Sequence, residues 1–246
     1  MSIYIVTHKG FSNYTKDYLY KPLLVGAYKN VGPNSYLKDN SDTDNISEKN
    51  QTFCELTGQY WIWKHSDDDI VGLCHYRRYF TKNSKVLSKT LTLSSSDIKG
   101  YLQNYDVILP TKRKFSQDGL TAKEFFNKFH DEDVWDKCKT IIQQRYPEYS
   151  QSFDWFENET EAYCYNMLIS KKSLFDNYSE WLFDILFELE QEVDLSKYDD
   201  YNKRMIGFVA ERLINIWIHQ NRLSVKEMPV VFTESNSRIK YFFKNL

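Results

Sequence analysis

The sequence predicts an α/β fold, with a mixed central sheet flanked by helices. Three observations predict it. Short apolar or β-branched runs recur along the 246 residues, as at Ile3 to Thr7, Ile70 to Cys74 and Pro229 to Thr233. Between them lie longer segments whose apolar residues return every three or four positions, the helical period. Strand and helix patterns therefore alternate along the chain, the order that lays helices on a sheet. No internal repeat and no linker divides the chain, so a single domain over residues 1–246 is expected.

Ile3 to Thr7 opens the chain as a strand, and His8-Lys9-Gly10 follows as a loop. Residues 30–52 are rich in Gly, Pro, Asn, Ser and Asp and read as a long loop, a kind that is usually functional or disordered. Phe53 to Lys64 reads as a helix, with Leu56, Tyr60 and Trp63 on one face. Ser47 or Asn50 is expected to cap it. Ile70 to Cys74 is a short buried strand. Asp97 to Gln103 is a short helix capped by Ser95 or Ser96. Tyr105 to Leu109 is a strand stopped by Pro110. Residues 110–119 form a basic, polar loop. Helices follow at Thr121 to His130 and Glu132 to Tyr146, the second with Val134, Cys138, Ile141 and Ile142 as its apolar stripe. Tyr163 to Ile169 is a strand. Tyr178 to Val193 is a helix that turns Trp181, Leu182, Ile185, Leu186 and Leu189 inward. Met205 to Asn221 is another long helix, and Pro229 to Thr233 the last strand.

Net charge is −2 and the sequence pI is about 6.2, so no nucleic-acid partner is expected and any basic site must be local. The four cysteines are far apart, lack a CxxC pair and sit in apolar surroundings, as in a reduced cytosolic protein. The first residues turn polar at once, without a signal-peptide pattern, and no apolar run reaches membrane-spanning length. The basic, aromatic tail Arg238-Ile239-Lys240-Tyr241-Phe242-Phe243-Lys244 either docks on the body or touches a membrane surface.

The densest chemistry lies in Gly72-Leu73-Cys74-His75-Tyr76-Arg77-Arg78-Tyr79-Phe80. A core strand ends there in an imidazole, a phenol and two guanidiniums. The carboxyl ends of strands in an open α/β sheet are where ligands bind. Paired arginines match phosphate oxygens with paired hydrogen bonds. The alternative is one ion-paired Arg, one surface Arg and a satisfied core His75. The loop Asp42 to Asn50, leading into Cys54-Glu55-Leu56-Thr57, offers Asp44, Asn45, Asn50 and Glu55 to sugar or ribose hydroxyls, although capping explains some of them. Positions 204, 208, 211 and 215 share one helical face, so Arg204 and Glu211 form either a buried ion pair or part of a site. Glu159 and Glu161 precede a strand that ends near Asn166; either is a candidate base or a solvated acid. His130, beside Asp131 at a helix end, reads first as a cap.

Walker A, GxGxxG, HExxH and GxSxG sequences are all missing, which speaks against P-loop and Rossmann chemistry. Asp67-Asp68-Asp69 imitates an Asp-x-Asp metal site but precedes its strand, at the wrong edge of the sheet. No metal ligands and no cofactor are therefore expected. Fixed positive charge at His75 to Arg78 would take the place of a metal in stabilising a departing diphosphate.

Four stretches together resemble the bacterial DUF4422 family, found among capsule and exopolysaccharide biosynthesis glycosyltransferases. They are Tyr4 to Lys9, Asp44 to Asn50, Cys54-Glu55-Leu56-Thr57 with Tyr60 to Lys64, and Gly72 to Phe80. Asp106 to Pro110, Tyr165-Asn166-Met167 and Gly207 to Leu213 extend the resemblance, in the same order, over nearly the whole chain. The resemblance implies a GT-A-like sugar transferase that uses a nucleotide-sugar donor. UDP-galactofuranose or another UDP-hexose is the leading donor, and a growing, lipid-linked oligosaccharide the acceptor. It places the protein in the cytoplasm, in peripheral contact with the inner membrane face. Within this reading Thr7, His8, Tyr76, Arg77, Arg78 and Arg204 hold the donor diphosphate. Asp44, Asn45, Asn50, Glu55, His130 and Asn166 bind sugar or acceptor. His75, Glu161 and Glu211 are the catalytic candidates, the acids as bases for an inverting reaction. The alternative is a non-catalytic carbohydrate-binding protein of polysaccharide assembly.

Overall fold

The computed structural model describes residues 1–15, 17–83, 85 and 89–233; the tail from Arg238 to Lys244 lies outside them. Strand β1 (Ser2–Thr7) runs through the middle of the sheet, parallel to β2 (Tyr20–Leu24) on one side and to β4 (Ile70–His75) on the other. The short β3 (Leu37–Lys38) extends the sheet beyond β2. On the far side of β4, β9 (Leu168–Lys171) runs antiparallel to β4 and to β6 (Val107–Pro110). β10 (Val225–Met228) closes that edge, parallel to β6. β5 (Arg78–Phe80) folds back on β4 and pairs with β11 (Val230–Phe232). β7 (Arg113–Lys114) and β8 (Glu161–Ala162) form a separate two-stranded ribbon. The mixed sheet expected from the sequence is therefore present.

Alternation along β1 explains why both faces are covered. Tyr4 and Val6 point to one side, Ile3 and Ile5 to the other, and all four are buried. The first side carries most of the helices: α1 (Asn50–Phe53), α2 (Leu56–His65), α4 (Ala122–Phe129), α5 (Glu132–Arg145), α6 (Ser150–Glu157), α7 (Lys172–Glu192) and α8 (Met205–Gln220). The second side is covered by α3 (Ser95–Tyr101) and by aromatic residues around Tyr79 and Phe80. Among the described residues no helix is long and apolar enough to cross a membrane.

Several boundaries differ from expectation, each for a local reason. The helix expected from Phe53 breaks at Cys54, whose φ of 52° ends α1 before α2 begins. Ser47 and Asn50 do not cap it, because the Ser47 hydroxyl donates to Asp39 and the Asn50 amide to the Cys54 carbonyl. Ser94, not Ser95 or Ser96, caps α3, in a box with Asp97. Pro110 is the last residue of β6: Met228 of β10 pairs with it but accepts from the Thr111 N–H at 3.0 Å, so the missing proline N–H costs no bond to β10. The strand expected from Tyr163 starts only at Leu168. The Asn215 side chain takes the place of a neighbouring strand at Tyr163, accepting from its N–H at 2.9 Å and donating to its carbonyl at 3.0 Å. Strand β2 escaped the sequence reading because Lys21 and Pro22 interrupt its apolar pattern.

The long polar loop is anchored by a buried carboxylate. Asp39 is fully buried and accepts four hydrogen bonds: Gly26 N–H at 2.7 Å, Ala27 N–H at 3.0 Å, Ser47 Oγ at 2.6 Å and Thr57 Oγ1 at 2.6 Å. Gly26 has φ +60°, and a Cβ there would sit 2.5 Å from Asn50 Oδ1, so only glycine fits. Asp39→Ala would leave two backbone and two hydroxyl donors without an acceptor. At about 1–3 kcal/mol per orphaned buried group, the four together set the expected loss at about 4 kcal/mol or more. Urea denaturation checks this; an unchanged midpoint would show that the loop does not depend on Asp39.

Candidate functional site

Three parallel strands end level with one another. Val6 pairs with His75 and Thr7 with Leu24, while the Tyr76 N–H donates to the Val6 carbonyl at 3.1 Å and the Val25 N–H to the Thr7 carbonyl at 2.8 Å. From β1 the chain goes to β2 and β3 on one side, then crosses to β4 on the other. The crevice between the carboxyl ends of β1 and β4 is thus a topological switch point, where open α/β sheets bind ligands. A cavity of about 250 Å³ lies there. Its floor is Val6, Thr7, His8 and Val25; Asn50, Gln51, Cys54 and Glu55 form one wall, and His75, Arg77 and Arg204 the rest. Gly58 lets α2 lie close above this floor, because a Cβ would come within 2.7 Å of Val6.

The cavity is cationic. Among the described residues none of Arg77, Arg78 and Arg204 forms an ion pair. The guanidinium of Arg77 lies 5.0 Å from the Tyr76 ring centre, that of Arg78 4.7 Å from Tyr165, and that of Arg204 5.3 Å from Phe208. Rings hold these cations in place without neutralising them. His75 Nδ1 accepts the Arg77 N–H at 3.3 Å, which leaves the proton on Nε2. Burial first, then Arg78 and Arg77, hold the imidazole well below its usual pKa. His75 is therefore a neutral donor beside the two arginines.

Arg204 is aimed from an unusual place. Its Nε donates to Cys54 Sγ at 3.1 Å, and Cys54 adopts φ 52°, ψ −128°, a region L-residues rarely occupy. The strained peptide is held by its carbonyl, which accepts from Asn50 Nδ2 at 2.6 Å, and the same amide lies 3.2 Å from Thr57 Oγ1. Thr57 in turn reaches the Asp39 carboxylate, so the anchor of the long loop also braces the cavity wall. Burial pushes the Cys54 thiol up to about 11, so it stays protonated.

Glu211 borders the same group. Burial pushes its carboxyl up to about 7 and Glu55 adds to the rise, while Arg212, Arg78 and Arg204 pull it down. Arg212 Nη1 donates to it at 3.4 Å. A carboxyl that titrates near neutral pH among three guanidiniums is suited to move a proton. Of the two readings of Arg204 and Glu211, the direct ion pair does not form: Arg204 bonds Cys54 and Arg212 bonds Glu211.

The other expected residues divide into two groups. Thr7, His8, Asn50 and Glu55 line the cavity with His75, Arg77 and Arg204. Tyr76 is buried beside it as a plate under His8, His75 and Arg77. Asn166 donates to Glu55 Oε1 at 3.0 Å and to the Gly207 carbonyl at 3.3 Å, tying the wall to α8. The remainder lie outside the lining. Asp44 accepts from the Tyr60 hydroxyl, and Asn45 braces its own loop through Asp42 and Ser47. Glu161 is exposed on β8 opposite Lys114. His130 stacks on Phe208 at 4.5 Å. Asp67 to Asp69 sit at the amino end of β4, where Asp68 pairs with Lys21 and the chain's terminal amine. Among the described residues no three His, Cys, Asp or Glu side chains gather as metal ligands. Sequence reasoning missed Asp39, the cavity role of Cys54, and Arg212. Only Cys54 carried a signal, its place in the stretch leading from the polar loop into α2.

Residues 2–222 match the family described as "Domain of unknown function (DUF4422)". No curated protein matches. Among solved structures the chain is similar to the apo structure of WbbM, named as a bifunctional glycosyltransferase. The TM-score is 0.82 and the identity 30%, covering 95% of this chain and 45% of that one. The chain thus spans less than half the length of that neighbour.

Proposed function

The chain belongs to the DUF4422 family, and from that premise we propose that it is a glycosyltransferase. In this reading residues 1–246 act as one GT-A-like unit that moves a sugar from a nucleotide-sugar donor to an acceptor hydroxyl. The likeness to a bifunctional glycosyltransferase supports sugar transfer in general. The observation that carries the reading is chemical. A cavity at the switch point is lined by guanidiniums outside any described ion pair, and Arg204 of that lining acts on the Glu211 carboxyl, which burial pushes up to about 7.

Arg77 and Arg204, with Arg78 beside them, hold the donor diphosphate, and the neutral His75 donates from Nε2. The acceptor hydroxyl oxygen attacks the anomeric carbon while the Glu211 carboxylate takes its proton. The bond from that carbon to the diphosphate oxygen breaks, and the nucleoside diphosphate leaves with the electron pair. The leaving group gains charge as the bond breaks, so cations fixed there favour the transition state over the ground state. Attack from the face opposite the leaving group inverts the anomeric centre. Glu211 takes the role of base in preference to Glu161 because it borders the arginines. UDP-galactofuranose or another UDP-hexose is the leading donor. A growing capsule or exopolysaccharide chain, lipid-linked, is the leading acceptor, which places the protein in the cytoplasm with peripheral contact at the inner membrane face.

A thermal-shift titration with UDP, UDP-galactose, UDP-galactofuranose and UDP-glucose, each with EDTA and with manganese, tests the donor site. A ligand of the folded state raises the melting temperature by mass action. A uridine-dependent shift that survives EDTA and disappears in Arg77→Ala is expected, and the best sugar identifies the donor. No shift with any uridine nucleotide would remove the uridine donor. A shift without UDP release in the presence of acceptor would favour the carbohydrate-binding alternative.

A further inference from the structure

Beside Arg204, three rings lie against one another. His130 and Phe208 stack at 4.5 Å with 25° between their planes, His130 and Tyr201 lie 6.2 Å apart at 18°, and Tyr201 and Phe208 are 5.1 Å apart. Tyr201 is 52% exposed, whereas the other two are half-buried behind it. Burial holds His130 down to about 4, so it is an uncharged ring at neutral pH, and its Nδ1 is engaged with Asn202 Oδ1 at 3.1 Å. The trio is therefore an apolar ledge with one open face, that of Tyr201.

Its position gives the ledge a use. Arg204 lines the cavity and also lies over Phe208. Arg204, Phe208 and Glu211 follow one face of the chain entering and forming α8. Burial raises the Tyr201 pKa, Arg204 lowers it and Glu211 raises it. A molecule lying on Tyr201 therefore lies beside the part of the cavity that Arg204 lines.

We infer that Tyr201, backed by His130 and Phe208, is the acceptor platform, and that its occupant is a neutral sugar ring at the end of a glycan. This inference rests on the transferase reading. A sugar ring has a face of C–H groups that suits the electron-rich face of an aromatic ring, and its rim of hydroxyls is then free to reach a base. The ledge itself offers three ring faces, which suits an uncharged sugar ring.

Saturation-transfer NMR tests it, with methyl β-D-galactofuranoside, methyl β-D-galactopyranoside and methyl β-D-glucopyranoside as probes, each with and without saturating UDP. Transfer to the ring C–H protons of at least one glycoside is expected in the wild type and in Tyr201→Phe. In Tyr201→Ala the affinity should fall about tenfold, while the thermal shift with UDP stays unchanged. Tyr201 is exposed, so the variant keeps its fold. Equal transfer in Tyr201→Ala, or none from any of the three glycosides, overturns the inference. Tyr201-dependent transfer in a protein that ignores UDP would keep the ledge as a sugar site and remove the transferase reading.

Discussion

Replacing Glu211 with Gln is expected to stop sugar transfer and, at pH 8, to make the protein more stable. The rate loss follows from the proposed proton transfer. Gln keeps the size and the acceptor oxygen but cannot take a proton, and a positioned base contributes about 10²- to 10⁴-fold. In the wild type kcat/KM should rise with pH up to about 7 and then level off, as the carboxyl ionises; the variant should lose this limb. The stability gain follows from linkage. The folded-state pKa lies above the ordinary 4.5, so between about 4.5 and 7 the folded protein binds more protons than the unfolded chain. Stability therefore falls as pH rises through that window. With the side chain 15% exposed, the cost of ionised Glu211 at pH 8 is on the order of 3 kcal/mol. Gln does not incur it. Melting curves of both proteins should nearly coincide near pH 4.5 and separate by several degrees at pH 8. Coincidence at both values would show that Glu211 is not raised, and a retained rate would show that it is not the base.

Arg204→Ala is expected to act on two quantities at once. Removing a preorganised positive group that faces developing charge typically costs about 10²- to 10³-fold in kcat. Arg204 is also among the charges that hold the Glu211 pKa down, so its loss should move the pH–rate limb to higher pH. Arg204→Lys keeps the charge but loses the planar fork, which bonds Cys54 through one edge. It should restore the position of the limb more fully than the rate. The pH profiles of the three proteins separate the charge from its geometry. An unshifted limb in Arg204→Ala would place Glu211 outside its field.

Much of this site was legible in the sequence because it lies in short, continuous stretches. Arg77 and Arg78 follow a core strand directly, and a core strand leads a reader to its own carboxyl end. Arg204 and Glu211 shared a helical face on spacing alone. What could not be read was the partner each group finds across the fold. Glu211 bonds its neighbour Arg212, and Arg204 reaches back 150 residues to a cysteine whose backbone conformation no pattern announces. Asp39 was one acid among many in a polar loop. Its importance comes from four donors that only tertiary structure assembles. Asp44, Asn45 and Glu161 show the opposite case, since hydrogen-bonding groups in a loop or before a strand look alike whether they brace the chain or meet a ligand.

The uneven placement of charge has a further consequence. The chain carries a net charge of −2, yet three guanidiniums are gathered at one end of the sheet, so the remaining surface is more negative than the total. An approaching anion meets fixed positive charge at that end of the sheet. Such a field turns the molecule mouth-first toward anionic small molecules or an anionic surface, and its reach contracts to about 8 Å at physiological ionic strength. Orientation is thus set before contact, by a polarity that the overall composition conceals.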